Sequence, residues 1–192
     1  MRTALFLSLG VALVLTAAGF LVSRDQSSSG EVRYTSNGRM LRPENYREWV
    51  YLSSGLGMSY SPEAATSVNP PFDNVFVTPA AYRAFMQTGS WPDKTAFVLE
   101  VRSSQNKGSI NKSGHFQGDV LGLDVHVKDE SRFRGKWAFF NFEASDPSAA
   151  MIPTTKDCYS CHEQHGAVDT TFVQFYPTLL DVAKQKKTLK QY

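Results

Sequence analysis

At 192 residues, with 20 basic against 18 acidic side chains and a formal net charge of +2, the chain is too near balance to read as a nucleic-acid binder or as strongly attached to anionic surfaces. The length suits one domain around a single core. Two cysteines in all exclude a disulfide-rich scaffold, so whatever uses one thiol has the other as its natural partner.

In chain order, Met1-Arg2 precede an apolar run from Ala4 to Val22 that reads as an export signal. Thr16-Ala17-Ala18-Gly19 offers small residues for cleavage, yet Phe20-Leu21-Val22 prolongs the run toward the ~20 residues that span a bilayer. Residues 1–23 are therefore a signal peptide, the favoured reading, or an N-terminal membrane anchor. Residues 24–36, with Ser27-Ser28-Ser29, form a polar linker, and residues 37–192 a single domain. The expected location is the periplasm, with residues 4–22 as the segment that would anchor the chain to the inner membrane.

Helices are expected from Pro43 to about Leu52, from Pro79 to Thr88, and from Phe172 to about Lys187. The second has Thr78 as N-cap, Pro79 at the first helical position and Gly89 at its end. Between them apolar residues recur with period two in Val75-Phe76-Val77, Ala96 to Val101, Leu121 to Val127 and Trp137 to Phe142. Turn-forming groups separate these runs: Asn69-Pro70-Pro71, Trp91-Pro92-Asp93, Asn106-Lys107-Gly108-Ser109 and Asp146-Pro147. The expected class is α+β, mainly an antiparallel β-sheet with a few helices.

Near the C-terminus stands Cys158-Tyr159-Ser160-Cys161-His162, the attachment pattern of haem c. Each thiol adds to one vinyl group, and the adjoining imidazole ligates the iron. The motif thus makes Cys158 and Cys161 the covalent haem residues, His162 the axial ligand, and one haem c per chain the expected cofactor. A thioredoxin-like pair or half of a zinc site would use the same thiols, but zinc would need ligands from His115, His126 or His165. Met58, Met86 and Met151 are candidate sixth ligands, Met151 foremost because it lies in the loop before the motif. Small helical cytochromes carry the motif early, and a four-helix bundle would show long 3.6-residue periodicity before it.

Strands first, a late Cys-x-x-Cys-His and a short tail helix resemble the cytochrome P-460 family, and especially its branch called cytochrome c′-beta. The similarity runs from about Leu41 to Thr178. It is carried by Pro43 to Val50, Pro71-Phe72, Tyr82 to Gly89, Gly118-Asp119, Val127 to Asp129, Trp137 to Phe139, Cys158 to His162 and Phe172 to Pro177. The resemblance implies a mostly β, often homodimeric protein whose five-coordinate haem leaves its distal face open to a small ligand. Members named for P-460 oxidise hydroxylamine, or react it with nitric oxide, and carry a lysine joined to the haem edge directly before a glutamate. The matching position here is Leu99, before Glu100. An aliphatic side chain cannot form that link; Lys94 lies an odd step away on the strand, and Lys107 is beyond its end. The c′-beta branch binds nitric oxide or carbon monoxide on an apolar distal face capped by aromatic residues. Phe72 matches one of these, and Leu99 stands where the other would be.

Phe72 and Leu99, with Phe97 or Phe76, are thus candidate distal-pocket residues, each with ordinary core as its alternative. Glu143 is a candidate proton relay or a solvated strand end. Arg47 and Arg102 would suit haem propionates or surface ion pairs. The tail lysines Lys184, Lys186, Lys187 and Lys190 form a solvated helix face or a dock for an acidic redox partner. The expected function is an exported haem protein binding nitric oxide or a similar small ligand. A hydroxylamine-oxidising enzyme and an electron-transfer cytochrome are the alternatives.

Overall fold

The computed structural model describes residues 31–59 and 68–190. The export segment at 1–23 and the first part of the linker lie outside the described residues. From Glu31 onward the chain already follows the domain: Tyr34 bridges to Met40, and Val32 and Tyr34 pack against a buried cluster.

Among the described residues seven strands are present: β1 (Met40–Leu41), β2 (Val50–Leu56), β3 (Phe72–Val77), β4 (Ala96–Gln105), β5 (Phe116–Lys128), β6 (Trp137–Glu143) and β7 (Ser148–Ala149). β2 to β6 form one antiparallel sheet in sequence order, and β1 pairs with β7 in a two-stranded ribbon. The helices are α1 (Pro79–Thr88), α2 (Asp157–His165) and α3 (Pro177–Lys186). The architecture is α+β with a mainly antiparallel sheet, as the period-two runs predict.

Alternation divides each strand between two faces. Ala96 and Val98 on β4, Leu123, Val125 and Val127 on β5, and Ala138, Phe140 and Phe142 on β6 form one buried cluster with Met40, Tyr46, Trp49 and Ala149. Val77, Phe97 and Trp137 point to the other face, where they meet Ala81 and Phe85 of α1, Trp91, Val173, Tyr176, and Leu179 and Ala183 of α3. This second face carries the candidate site.

Helix α1 starts and stops where the sequence predicts. Pro79 occupies its first turn, although the Thr78 side chain makes no capping bond, and Gly89 ends it at φ 74° with its N–H on the Phe85 carbonyl. Gly89 also has no room for a Cβ, which would lie 2.7 Å from Lys186 Cβ. The glycine thus serves both the left-handed cap and the close approach of the tail.

Two expected helices differ. The segment Pro43 to Leu52 forms one 3-10 turn, Tyr46–Glu48, and then enters β2 at Val50. Tertiary pairing decides this: β2 pairs with β3 from Val50↔Val77 to Leu56↔Phe72, while Tyr46 and Trp49 are buried in the first cluster. The tail is a 3-10 turn, Val173–Phe175, followed by α3. Pro177 divides them, because proline disfavours helical dihedrals in the preceding residue, and Tyr176 sits at φ −113°, ψ 87°.

Candidate haem site

Helix α2 sets Cys158 and Cys161 three residues apart, so both thiols project from one side of it, with His162 alongside. Neither cysteine is in a disulfide, and both are partly exposed. The helix has no fully buried residue; Tyr159 pins it to the sheet, its hydroxyl donating to the Ile152 carbonyl at 2.9 Å and its ring meeting Phe139 edge-on.

His162 is fixed from several sides. Its ring centroid lies 4.3 Å from Phe172, 4.6 Å from Phe139 and 5.0 Å from His126. Its Nδ1 donates to the Thr170 carbonyl at 2.7 Å, which leaves Nε2 for a metal. Burial pushes its pKa below the usual histidine range, against the opposing pull of the Thr170 carbonyl and Asp124. A neutral imidazole is the form that ligates iron.

The loop that supplies Thr170 is itself clamped. Gly166 permits its return over α2, since a Cβ there would lie 2.6 Å from the His162 carbonyl and 2.8 Å from Thr171 N. Trp91 Nε1 donates to Thr171 Oγ1 at 2.8 Å. Lys128 Nζ reaches the Trp91 carbonyl at 2.8 Å and Asp169 Oδ2 at 3.3 Å. His126 Nε2 lies 3.3 Å from Thr170 Oγ1.

Three rows of residues cross the second face beside His162. The first is Val77, Phe97, His126 and Phe139; the second is Val75, Leu99, Asp124 and Asn141; the third is Asp73, Val101, Gly122 and Glu143. Leu99 is therefore flanked by Val75 and Asp124. Asp124 accepts from Asn141 Nδ2 at 2.7 Å. Burial, and secondarily the charge of Asp124, raise the Asp73 carboxyl to about 6.

The structure does not bring Phe72 and Leu99 together. Phe72 pairs with Arg102 and Leu99 with Val75, an odd offset that puts them on opposite faces of the sheet. Phe76 shares the Phe72 side and packs on Tyr46 and Tyr51. Phe97 shares the Leu99 side, surrounded by Trp91, Trp137 and Tyr176.

Arg47 and Arg102 are taken up on the first face by Glu100. Arg47 Nη2 lies 2.6 Å from one carboxylate oxygen and Arg102 Nη1 3.1 Å from the other, with Tyr46 and Asn74 also donating. Burial of Glu100 acts to raise its pKa, but these bonds outweigh it and hold the carboxyl below its usual range. Glu143 is an exposed strand end whose N–H bonds Asp146. Lys94 is held by Asp129 and Ser131, and Lys128, which shares the Leu99 face, is held under the Thr170 loop. His115 and His165 are exposed, and Met58, Met86 and Met151 are each about two-fifths to one-half exposed. Met151 bridges through its backbone to Phe140.

Sequence reasoning missed Asp124, Asp73 and Thr170. The signal for Asp124 was present: in the run Leu121 to Val127 the polar alternates Asp124 and His126 share one face, the face that the His162 ring meets.

A family model, cytochrome P460, matches residues 43–173, from the turn before β2 to the start of the tail. The chain belongs to the cytochrome P460 family. This P460 cytochrome is accordingly a haem-binding protein. A comparison with curated proteins found no match.

Proposed function

We propose that this P460 cytochrome carries one haem c, joined to Cys158 and Cys161 and ligated by His162 Nε2, and that it binds nitric oxide or a similar small neutral ligand. The observation that carries the reading is the His162–Thr170 bond: it occupies Nδ1 and leaves Nε2 free on a helix whose two thiols are unpaired and reachable. The residues present fit the group. Among the described residues no three His, Cys, Asp or Glu side chains gather as an alternative metal site around those thiols.

When bound, the haem iron supplies the coordination position and the redox electron. The chain supplies the rest. Thr170 orients His162 and raises its basicity as a ligand. Phe139 and Phe172 keep water from the ring on two sides. Leu99 offers neither a hydrogen-bond donor nor the amine of the cross-link, which suits a ligand that needs neither. Export to the periplasm agrees with covalent haem and with the apolar run at 4–22; a redox partner and a homodimer remain part of the same reading.

One observation favours a second reading, oxidation of hydroxylamine. Asp124 lies directly across from Leu99 with Asp73 nearby, and a carboxyl raised to about 6 is suited to accept protons near neutrality. Visible spectra of the purified protein, oxidised and dithionite-reduced, before and after nitric oxide, test the first reading. A broad high-spin reduced spectrum that changes at once with the gas supports it; a sharp low-spin spectrum indifferent to the gas overturns it in favour of electron transfer. Steady reduction of an acceptor dye by hydroxylamine would establish the second.

A further inference from the structure

Beside the axial ligand, strand β5 carries another histidine on the second face. His126 is 7% exposed, and its ring is stacked on Phe139 at 4.0 Å and 11° and lies 4.4 Å from Trp137. It meets the His162 ring at 5.0 Å and 72°. Burying an imidazole costs desolvation that a leucine or phenylalanine at this position would avoid, so its polar atoms need a partner. That partner is Thr170, whose Oγ1 lies 3.3 Å from His126 Nε2. The same residue's carbonyl receives His162 Nδ1 at 2.7 Å. Thr170 therefore joins both histidines, one through its side chain and the other through its backbone.

The surrounding contacts fix the loop at other residues. Trp91 holds Thr171, Lys128 holds Asp169, and Gln174 Oε1 accepts from Ala167 N at 3.2 Å. None of these bonds is made to the Thr170 side chain. The direction of the Thr170 carbonyl is thus set by the loop backbone and by whatever grips its hydroxyl.

We propose that His126 is a positioning residue for the axial ligand: through the Thr170 hydroxyl it holds the carbonyl that accepts His162 Nδ1–H, and its ring sets the plane of His162, so that it governs the strength of the iron–histidine bond. The inference rests on the haem reading of His162. A hydrogen bond to the outer ring nitrogen increases ligand basicity, and loss of such outer partners commonly costs about 10–100-fold in metal affinity or activity. Loosening the carbonyl weakens that bond, makes His162 a poorer donor and favours the reduced iron.

The test uses the full-length exported holoprotein and the variants His126→Phe, Thr170→Val and Thr170→Ser. Haem content is first measured by the alkaline pyridine method. The ferrous iron–histidine stretching band and the reduction potential are then recorded for each. His126→Phe and Thr170→Val should each lower the band and raise the potential, the double variant should move no further than either single one, and Thr170→Ser, which keeps the hydroxyl, should stay at the wild-type values. Should His126→Phe not fold, Thr170→Val answers alone, since it preserves shape and carbonyl. Variants that hold haem with band and potential unchanged overturn this inference alone. A wild-type protein without covalent haem overturns the haem reading and this inference with it.

Discussion

Leu99 on β4 stands directly opposite Asp124 on β5, on the sheet face that also carries His126 and meets His162. An aliphatic side chain beside a carboxylate is a pairing that neither residue's own chemistry calls for, so what occupies the space above the pair decides its meaning. Replacing Leu99 by lysine places an ammonium next to that carboxylate, where the attraction is about 4 kcal/mol at 4 Å and an effective dielectric of 20. We expect Leu99→Lys to fold and, if Leu99 faces the haem as proposed, to display an altered reduced absorption spectrum, because an amine then replaces an aliphatic side chain beside Asp124. A variant spectrum identical to wild type would show that Leu99 does not face the haem.

Asp73 makes stability depend on pH. Its folded pKa, raised to about 6 from 3.8 by burial and then by Asp124, means that the native state binds a proton more tightly than the unfolded chain. The contribution is fully present below the unfolded value and is lost as pH rises through about 6. Discounted for solvent, the loss is about 1 kcal/mol. Asp73→Asn should flatten the fall in Tm between pH 4 and 7 and leave the variant the more stable of the two at pH 7. Parallel melting profiles for the two proteins would remove Asp73 as the cause.

Glu100 should behave in the opposite sense. Its folded pKa is lowered by bonds from Tyr46, Arg47 and Arg102, so its contribution is present above the ordinary glutamate range and is lost as pH falls through the folded value. Removing one partner of a buried charged cluster costs about 3–5 kcal/mol, and solvent at the exposed Arg47 brings the expected cost of Glu100→Gln nearer 2. Because the cluster lies on the face away from His162, the variant's haem spectrum should match wild type while urea unfolds it earlier. A changed spectrum at unchanged stability would place Glu100 in the site.

How far these residues were legible in the sequence differs by element. Strands β4, β5 and β6 and helix α1 follow from period-two runs and from Pro79 and Gly89, because local pattern and tertiary demand agree there. The motif named His162, yet it could not name Thr170, which is eight residues on in a loop without periodicity and acts through its backbone. Asp124 between Leu123 and Val125 reads as the wet side of a half-buried strand; only the approach of His162 to that side makes it part of the site. Phe72 illustrates the converse. Strand parity separates it from Leu99 once the β3–β4 register is known, and register is long-range information that a single strand does not contain.

Gly166 is where the site should be most sensitive to one added carbon. A Cβ there would lie 2.6 Å from the His162 carbonyl and 2.8 Å from both Thr170 C and Thr171 N, all backbone atoms that cannot swing aside as a flexible side chain would. Its φ of −68° is ordinary, so alanine meets no dihedral penalty and the whole cost is steric. Gly166→Ala should therefore push the loop off α2, lengthen the Thr170–His162 bond and destabilise the protein by about 1–3 kcal/mol, the usual cost of overpacking. The decisive comparison is with Gly135→Ala, where a Cβ meets nothing within 4 Å. The first variant should show a lower Tm and a changed haem spectrum together, and the second neither. A Gly166→Ala protein that melts and absorbs like wild type would mean that the loop reaches His162 by a different path.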